Sequence, residues 1–335
     1  MTPGHGRGRT RGARRGAALL LAMIVLTLVA SVAAGMVWSQ ERAVRVEEAE
    51  RARVQGAWML EGALDWARLI LREDLRADRE RQRGPNPRPL VDGLGETWAS
   101  PLAEARLSSF LAADQDNSAD TTLEVFLSGA ITDAQARWNL RNLLATDGKV
   151  DPAQLAALRR LVDEAGAPAD TADRLAEGLR AAWAPADEQA RRAAPLAPER
   201  FGDLAWLGLE ATTLARLEPL VTLLPARTPV NANTAEPEVL VAAIDGLDLG
   251  SAERIVQARR RKSLAALDSL EEIKALLPPN LELRPERVAV SSSWFEVRGR
   301  LRIDARVLEE RSLLQRTETD VVVRRRERLH VVDRG

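Results

Sequence analysis

The chain has 335 residues, 45% of them apolar, with 48 lysines plus arginines against 49 acids, two histidines and no cysteine. That length supports one large or two modest cores. The even charge removes the basic excess with which nucleic-acid binders displace counterions, and the missing cysteine removes disulfides, thiolate nucleophiles and cysteine zinc sites. His5 and His330 sit near opposite ends of the sequence, so a Ser-His-Asp triad or a histidine metal cluster has almost nothing to draw on.

Residues 1 to 16 carry five arginines and no acid, and Ala17 to Trp38 then run for 22 residues without a charge. A helix of that length spans about 33 Å, enough for the hydrocarbon core of a bilayer. Beyond it, Glu41 to Arg53 mixes four acids with four arginines, so the positive-inside bias places the amino terminus in the cytoplasm and the rest across the membrane. The "SVAA" at Ser31 to Ala34 resembles a signal cleavage site, but the helical pattern continues past it. Met59, Ala63, Trp66, Ile70 and Leu60, Leu64, Ala67, Leu71 each repeat at spacings of four, three and four. This predicts one wide apolar face on a helix running from the anchor to about Arg76.

Proline and glycine crowd Gly84 to Gly95 and predict a loop. Leu123, Val125 and Leu127 alternate as in a half-buried strand. "ARWNLRNLLATDGK" closes this first piece with an Asp147-Gly148 turn. Asp151-Pro152 then supplies a cap and a first-turn proline for a helix to about Ala165, with Gly166 at its end. Helical spacing continues over 175–183 and 203–217, separated by a stretch from Ala184 to Arg200 whose composition predicts a connecting loop. After Glu286 the period becomes two: Phe295, Val297, Leu301 and Ile303 share one face, and Glu296, Arg298, Arg300 and Arg302 the other. Further strands are expected at 307–314, 319–323 and 329–332.

A basic leader ending in glycine, an apolar segment starting right after it and an amphipathic extension resemble a type IV pilin or pseudopilin. In that family a prepilin peptidase cuts after the glycine and methylates the new terminus, which implies cleavage between Gly16 and Ala17 and an N-methylated Ala17. Most pilins carry glutamate at the fifth mature position, where this chain has Leu21. Four stretches narrow the resemblance to the minor pseudopilin K family of type II secretion systems: the anchor, "ARWNLRNLL", "LEPLVTLLPARTPVNANTAEPEVLVAAI" and "VSSSWFEVRGRL". That family also tends to lack the glutamate. The implied fold is α+β and type IV pilin-like, a long transmembrane helix on an antiparallel sheet, with an inserted all-α domain containing a helix-hairpin-helix or SAM-like unit. The implied divisions are a leader over 1–16, a transmembrane part over 17–38, a pilin-like first part over 39–148, the helical insertion over 149–286 and C-terminal strands over 287–335.

"EVLVAAIDGLDLGSAERIVQARR", Glu238 to Arg260, resembles a helix-hairpin-helix. Thr234 is expected to cap its first helix, and Asp268 with Glu271 to form a capping box for a third. DNA-binding hairpins offer a second glycine to phosphate where this chain has Asp248, whose carboxylate would repel it. Arg254, Arg259, Arg260, Arg261 and Lys262 against Asp245, Asp248 and Glu253 leave a local excess of two (five minus three), too little for a phosphate-tracking surface. Arg324, Arg325, Arg326 and Arg328 are read as a solvated strand edge. "DQDNSAD", Asp114 to Asp120, fails as an EF-hand, having Ala119 where the turn glycine belongs and Val125 in place of the bidentate glutamate. The family is associated with calcium, but the stretch between Trp183 and Phe201 is acid-poor beside the usual pattern, so no ligand is assigned and no other cofactor is expected.

These readings describe a protein that catalyses nothing. The expected role is a cap on the tip of a periplasmic pseudopilus, helping to start its assembly, with minor pseudopilins I and J and other pseudopilins as partners. It is expected in the inner membrane as a single pass, after processing by prepilin peptidase, and without nucleic acid. A membrane-anchored DNA-uptake protein using the hairpin is the rival reading, and an anchored hydrolase is disfavoured by the two histidines.

Overall fold

The computed structural model describes residues 13–85 (backbone alone up to 17), 87, 89–107, 124–262, 264–303 and 306–329. Helix α1, Ala13–Arg83, contributes to both units of the chain, residues 1–58 and 59–335. In the first unit it is an apolar rod followed by a mixed-charge stretch. Arg45 pairs with Glu41 and Arg51 with Glu47 at i,i+4 spacing, exposed contacts that contribute a few tenths of a kcal/mol each.

The second unit is built on a five-stranded antiparallel sheet in the order β1-β2-β7-β8-β9, formed by Leu102–Arg106, Val125–Asp133, Trp294–Ile303, Arg306–Arg316 and Val321–Leu329. The period-two pattern of β7 sets the register. Phe295 lies opposite Leu314, and Val297 opposite Ser312, so these residues share the face that meets α1. Of the two rows on the helix, Leu60, Leu64, Ala67 and Leu71 are buried, and Leu75 extends the row. They pack on Ile131, Phe295, Val297, Leu314 and Val321 in one cluster and on Leu127, Leu301 and Ile303 in the next. Trp98 closes this layer edge-on to Phe295, with ring centroids 5.2 Å apart. The other row sits on the flank of the helix, and Trp66 remains 48% exposed.

Between Asp133, the last residue of β2, and Trp294, the first of β7, the chain builds a second and larger core. Its helices are α2 (Pro152–Glu164), α3 (Thr171–Trp183), α4 (Glu188–Ala193), α5 (Ala211–Leu217), α6 (Pro237–Ala243), α7 (Leu249–Arg260) and α8 (Leu270–Leu276). Two short parallel pairs join β3 (Trp138–Asn139) to β4 (Val221–Thr222), and β5 (Val230–Asn231) to β6 (Val288–Ala289). Asp151 caps α2 by accepting from the amides of Ala153 and Gln154, and Gly166 follows it at φ +59°, as the sequence leads one to expect.

Several local expectations are corrected. Ala184 to Arg200 is not all loop, because Asp187 accepts from Ala190 N and caps the short helix α4. The helical spacing over 203–217 is split by Gly208 at φ +81° into a 3₁₀ turn, Phe201–Leu207, and α5. The edge strand β1 carries no clear alternation and was not expected, and β9 runs on through its arginines to Leu329. As expected, those arginines lie on an edge strand, with Arg324, Arg326 and Arg328 exposed, and they also find partners. Arg324 donates to Gln315, Arg325 pairs with Glu327, and Arg326 pairs with Glu61. The acidic "DQDNSAD" segment and residues 330–332 lie outside the described residues.

Candidate functional site: the apolar helix and the polar junction

In the first unit α1 displays an unbroken apolar surface. Leu19, Leu20, Leu21, Met23, Ile24, Leu26 and the apolar residues on to Trp38 are all exposed, Leu21 at 65%. By length and composition this is a helix able to cross a membrane, and such a band is stable only against lipid or other apolar helices. Gly16 and Ala17 lie on the backbone of α1, with side chains outside the described set.

In the second unit, the points where the chain leaves β2 and enters β7 are joined by buried polar side chains. Asp133 Oδ2 accepts from Ser292 Oγ at 2.6 Å, Thr234 Oγ1 at 2.6 Å and Asn231 Nδ2 at 2.9 Å, while its Oδ1 accepts from Gln135 N at 2.7 Å. Burial pushes this carboxyl above its ordinary range, and the hydroxyl donors oppose the shift. Asn231 also donates toward the Asp92 carbonyl and Ser292 Oγ and accepts from Asn233 N. Asn233 in turn donates to the carbonyls of Leu267 and Val290 and accepts from Leu267 N. Asn139 and Asn142 do the same for the loop around Thr228. The "VNANT" stretch is thus a set of buried clamps. Sequence reading marked the stretch as family-like without identifying that role, for which buried polar residues beside short strands were the available signal.

The expected cap at Thr234 is replaced by this network. Glu236 occupies the N-cap of α6 without a side-chain bond, and Thr234 serves Asp133 instead. Gly246, at φ +79°, turns the chain between α6 and α7. Asp248 caps α7 by accepting from Ser251 N at 2.9 Å, so its carboxylate stabilises the helix start where a phosphate would have docked. The cap of α8 falls one residue later than expected: Ser269 accepts from Glu272 N, and Glu272 accepts from Asp268 N. The basic cluster is largely used internally. Arg259, 2% exposed, donates to the carbonyls of Ala232 and Ala235, both at 2.7 Å. Burial lowers its pKa to about 10. Lys262 is held by Glu272 and Asp268.

The residues between Trp183 and Phe201 do not fit a calcium ion. Asp187 is committed to its cap, Glu188 pairs with Arg191 and Arg192, and the neighbouring Asp203 is held by Arg200. Among the described residues, three acidic groups converge elsewhere, at Asp74 and Asp78 of α1 and Glu96 of the following loop. Beside them Arg316, at the end of β8, donates to Asp74 at 2.9 Å, to Asp92 and to the Ser292 carbonyl at 2.8 Å. Burial raises Asp74 to about 6 despite the attraction of Arg316, and raises Asp78 despite Arg81. Glu96 rises to about 8 through burial and the negative charge of Asp74.

Comparisons with known proteins converge on one family. Two profiles described as type II secretion system (T2SS) protein K match residues 136–226 and 230–291. The type II secretion system protein K of Pseudomonas aeruginosa is 32% identical over 287 residues, covering 81% of this chain and 79% of that protein. Its namesake in Pectobacterium carotovorum is 27% identical over 323 residues, covering 90% and 92%. A chain in the crystal structure of the GspK-GspI-GspJ complex of the enterotoxigenic Escherichia coli type 2 secretion system superposes with a TM-score of 0.60 at 18% identity, over 85% of this chain and 99% of that one. The likeness is one of fold, a mixed α/β structure with an antiparallel sheet. On the identity and coverage of these relatives, the chain belongs to the type II secretion system protein K family, minor pseudopilins of that system.

Proposed function

We propose that this minor pseudopilin caps the tip of the periplasmic pseudopilus and helps to start its assembly for export of folded proteins across the outer membrane, without catalysis of its own. Leu21 is the observation that carries the proposal. It stands exposed in a charge-free segment, at the position where filament-forming relatives carry a glutamate that pairs with a neighbour's terminal amine. A carboxylate in the hydrocarbon span is costly, up to about 2.5–3.5 kcal/mol at its centre on insertion scales, so without that partner it is a liability. A first subunit has no predecessor, and leucine removes the cost. The proposal includes cleavage between Gly16 and Ala17, methylation of Ala17, a cytoplasmic amino terminus and a periplasmic remainder.

The sheet with its preceding helix is taken as pilin-like over 39–148 and 287–335, and the helices over 149–286 as an insertion with a hairpin resembling a helix-hairpin-helix. Its bulk would obstruct another subunit stacked above. The related Escherichia coli chain was crystallised with proteins I and J, and by that likeness we take the I and J pseudopilins as partners here. The internal use of Arg259, Lys262 and Asp248 argues against DNA uptake.

Mass spectrometry of the mature protein tests the processing: an N-methylated Ala17 is expected, and an intact Met1 or an end near Ala33 would refute it. Leu21→Glu should let the subunit cross-link at positions beyond the tip. An unchanged cross-linking pattern would refute the tip reading.

A further inference from the structure

The carboxylates of Asp74, Asp78 and Glu96 are arranged around a common point. Asp74 and Asp78 stand one helical turn apart on the same face of α1, and Glu96 comes up from the loop just before the turn Thr97–Ala99. One oxygen from each lies within 4.8 Å of the other two. Asp78 is 3% exposed and Glu96 5%. Asp78 Oδ2 and Glu96 Oε1 are buried and have no hydrogen-bond partner among the described residues, a costly condition for a carboxylate.

The second oxygen of each group is already fixed. Arg81 holds Asp78 Oδ1, the indole N–H of Trp98 donates to Glu96 Oε2 at 2.5 Å, and Arg316 donates to Asp74 Oδ2 at 2.9 Å. Charge is unbalanced in the same place. Among the described residues four acidic groups, Asp74, Asp78, Asp92 and Glu96, meet two arginines, Arg81 and Arg316. The deficit equals the charge of one divalent cation.

We propose that Asp74, Asp78 and Glu96 form a divalent-cation site that joins the end of α1 to the loop before β1. The donor set is all oxygen, which selects a hard cation. Two oxygens 4.8 Å apart, the widest separation here, just span an ion whose bonds are about 2.4 Å long, as calcium's are, and the third must lie closer to both. Magnesium, at about 2.0–2.1 Å, would require them to draw closer. A groove beside Ala77, Gly95 and Thr97 gives the ion an entry path and room for water to complete its shell. The site is separate from the Trp183–Phe201 region, where Asp187 and Glu188 are already engaged, and independent of the reading of Leu21.

The test uses the full chain in detergent micelles after stripping with chelator. Calcium titration by calorimetry is expected to show one strong site and to raise the melting temperature, with magnesium weaker at equal concentration. Terbium in place of calcium should luminesce by energy transfer from Trp98, which touches a ligand. Glu96→Gln and Asp78→Asn preserve shape and relieve an unpartnered charge, so both should fold. Each should weaken calcium binding by at least about tenfold and quench the terbium signal. Trp98→Phe should lose the luminescence and keep the calorimetric site. No calcium binding by the wild-type chain, or binding that both ligand variants leave intact, would overturn the proposal.

Discussion

Asn231→Ala tests the clamp at the base of the sheet. Asn231 is fully buried, and its amide has two protons for three acceptors, the Asp92 carbonyl at 3.1 Å, Asp133 Oδ2 at 2.9 Å and Ser292 Oγ at 3.1 Å. Only two of those bonds count at full strength. The bond to the Asp133 carboxylate is worth about 2 kcal/mol, and the second donated bond and the bond accepted from Asn233 N about 1 kcal/mol each. The expected loss is about 4 kcal/mol, a large part of the stability of an ordinary domain.

Urea unfolding of the full chain in micelles, followed by tryptophan fluorescence, suits the question because Trp98, Trp138 and Trp294 are buried. Ser292→Ala removes another donor to the same Asp133 oxygen. The double variant should therefore depart from additivity by about 0.5–3 kcal/mol. A single-variant loss under about 1 kcal/mol, or strict additivity, would show that water replaces the clamp and that the reasoning is wrong.

Two further changes probe neighbouring contacts. Gly93→Ala would place a methyl 2.5 Å from the Leu264 carbonyl oxygen and 2.6 Å from Ala266 Cβ, so the loop must move and thermal unfolding should show a loss of about 1–3 kcal/mol. Burial pushes Asp203 up, but Arg200 and the amides of Arg200 and Glu199 outweigh it and hold the carboxyl below the ordinary range. A depressed folded-state pKa contributes stability above the unfolded value of about 3.9 that is lost as pH falls through the folded one. Asp203→Asn should thus cost about 1 kcal/mol at neutral pH and flatten the acid limb of the stability curve; an acid limb as steep as in the wild-type chain would contradict this.

The parts of the fold legible in sequence are those written in a single element. Four-three-four spacing marked one wide apolar face that includes the buried row Leu60, Leu64, Ala67 and Leu71, and alternation marked Phe295, Val297, Leu301 and Ile303 as one face of β7. Neither pattern distinguishes that row from its neighbour, because Met59, Ala63, Trp66 and Ile70 have the same period. Only the width of the sheet beneath decides which row is covered. Polar residues that act across long separations left no periodic trace. Arg316 meets Asp74 and Asp92 over more than 200 positions, and Asp133 meets Ser292 over 159. Caps shifted by a residue, as at Ser269, where several polar side chains compete for the same free amides. Leu21 is legible by identity alone, since the role proposed for it depends on a neighbouring subunit.

The direction of the helical block on the sheet follows from its polar contacts more than its apolar ones. Trp294, Leu313, Leu224 and Ala134 form a small apolar contact on the outer face of the sheet, and apolar contact is non-directional. Packing of that kind tolerates sliding. Asp133, Asn231 and Ser292 do not, because each hydrogen bond fixes a distance and an angle, and their desolvation makes any slipped arrangement costly. The same economy holds for Arg316, which ties the end of β8 to Asp74, Asp92 and the Ser292 carbonyl. A subunit that must present surfaces to neighbours at fixed positions needs that rigidity. Replacing the clamps with well-packed apolar side chains would therefore change orientation before it changed the presence of a fold.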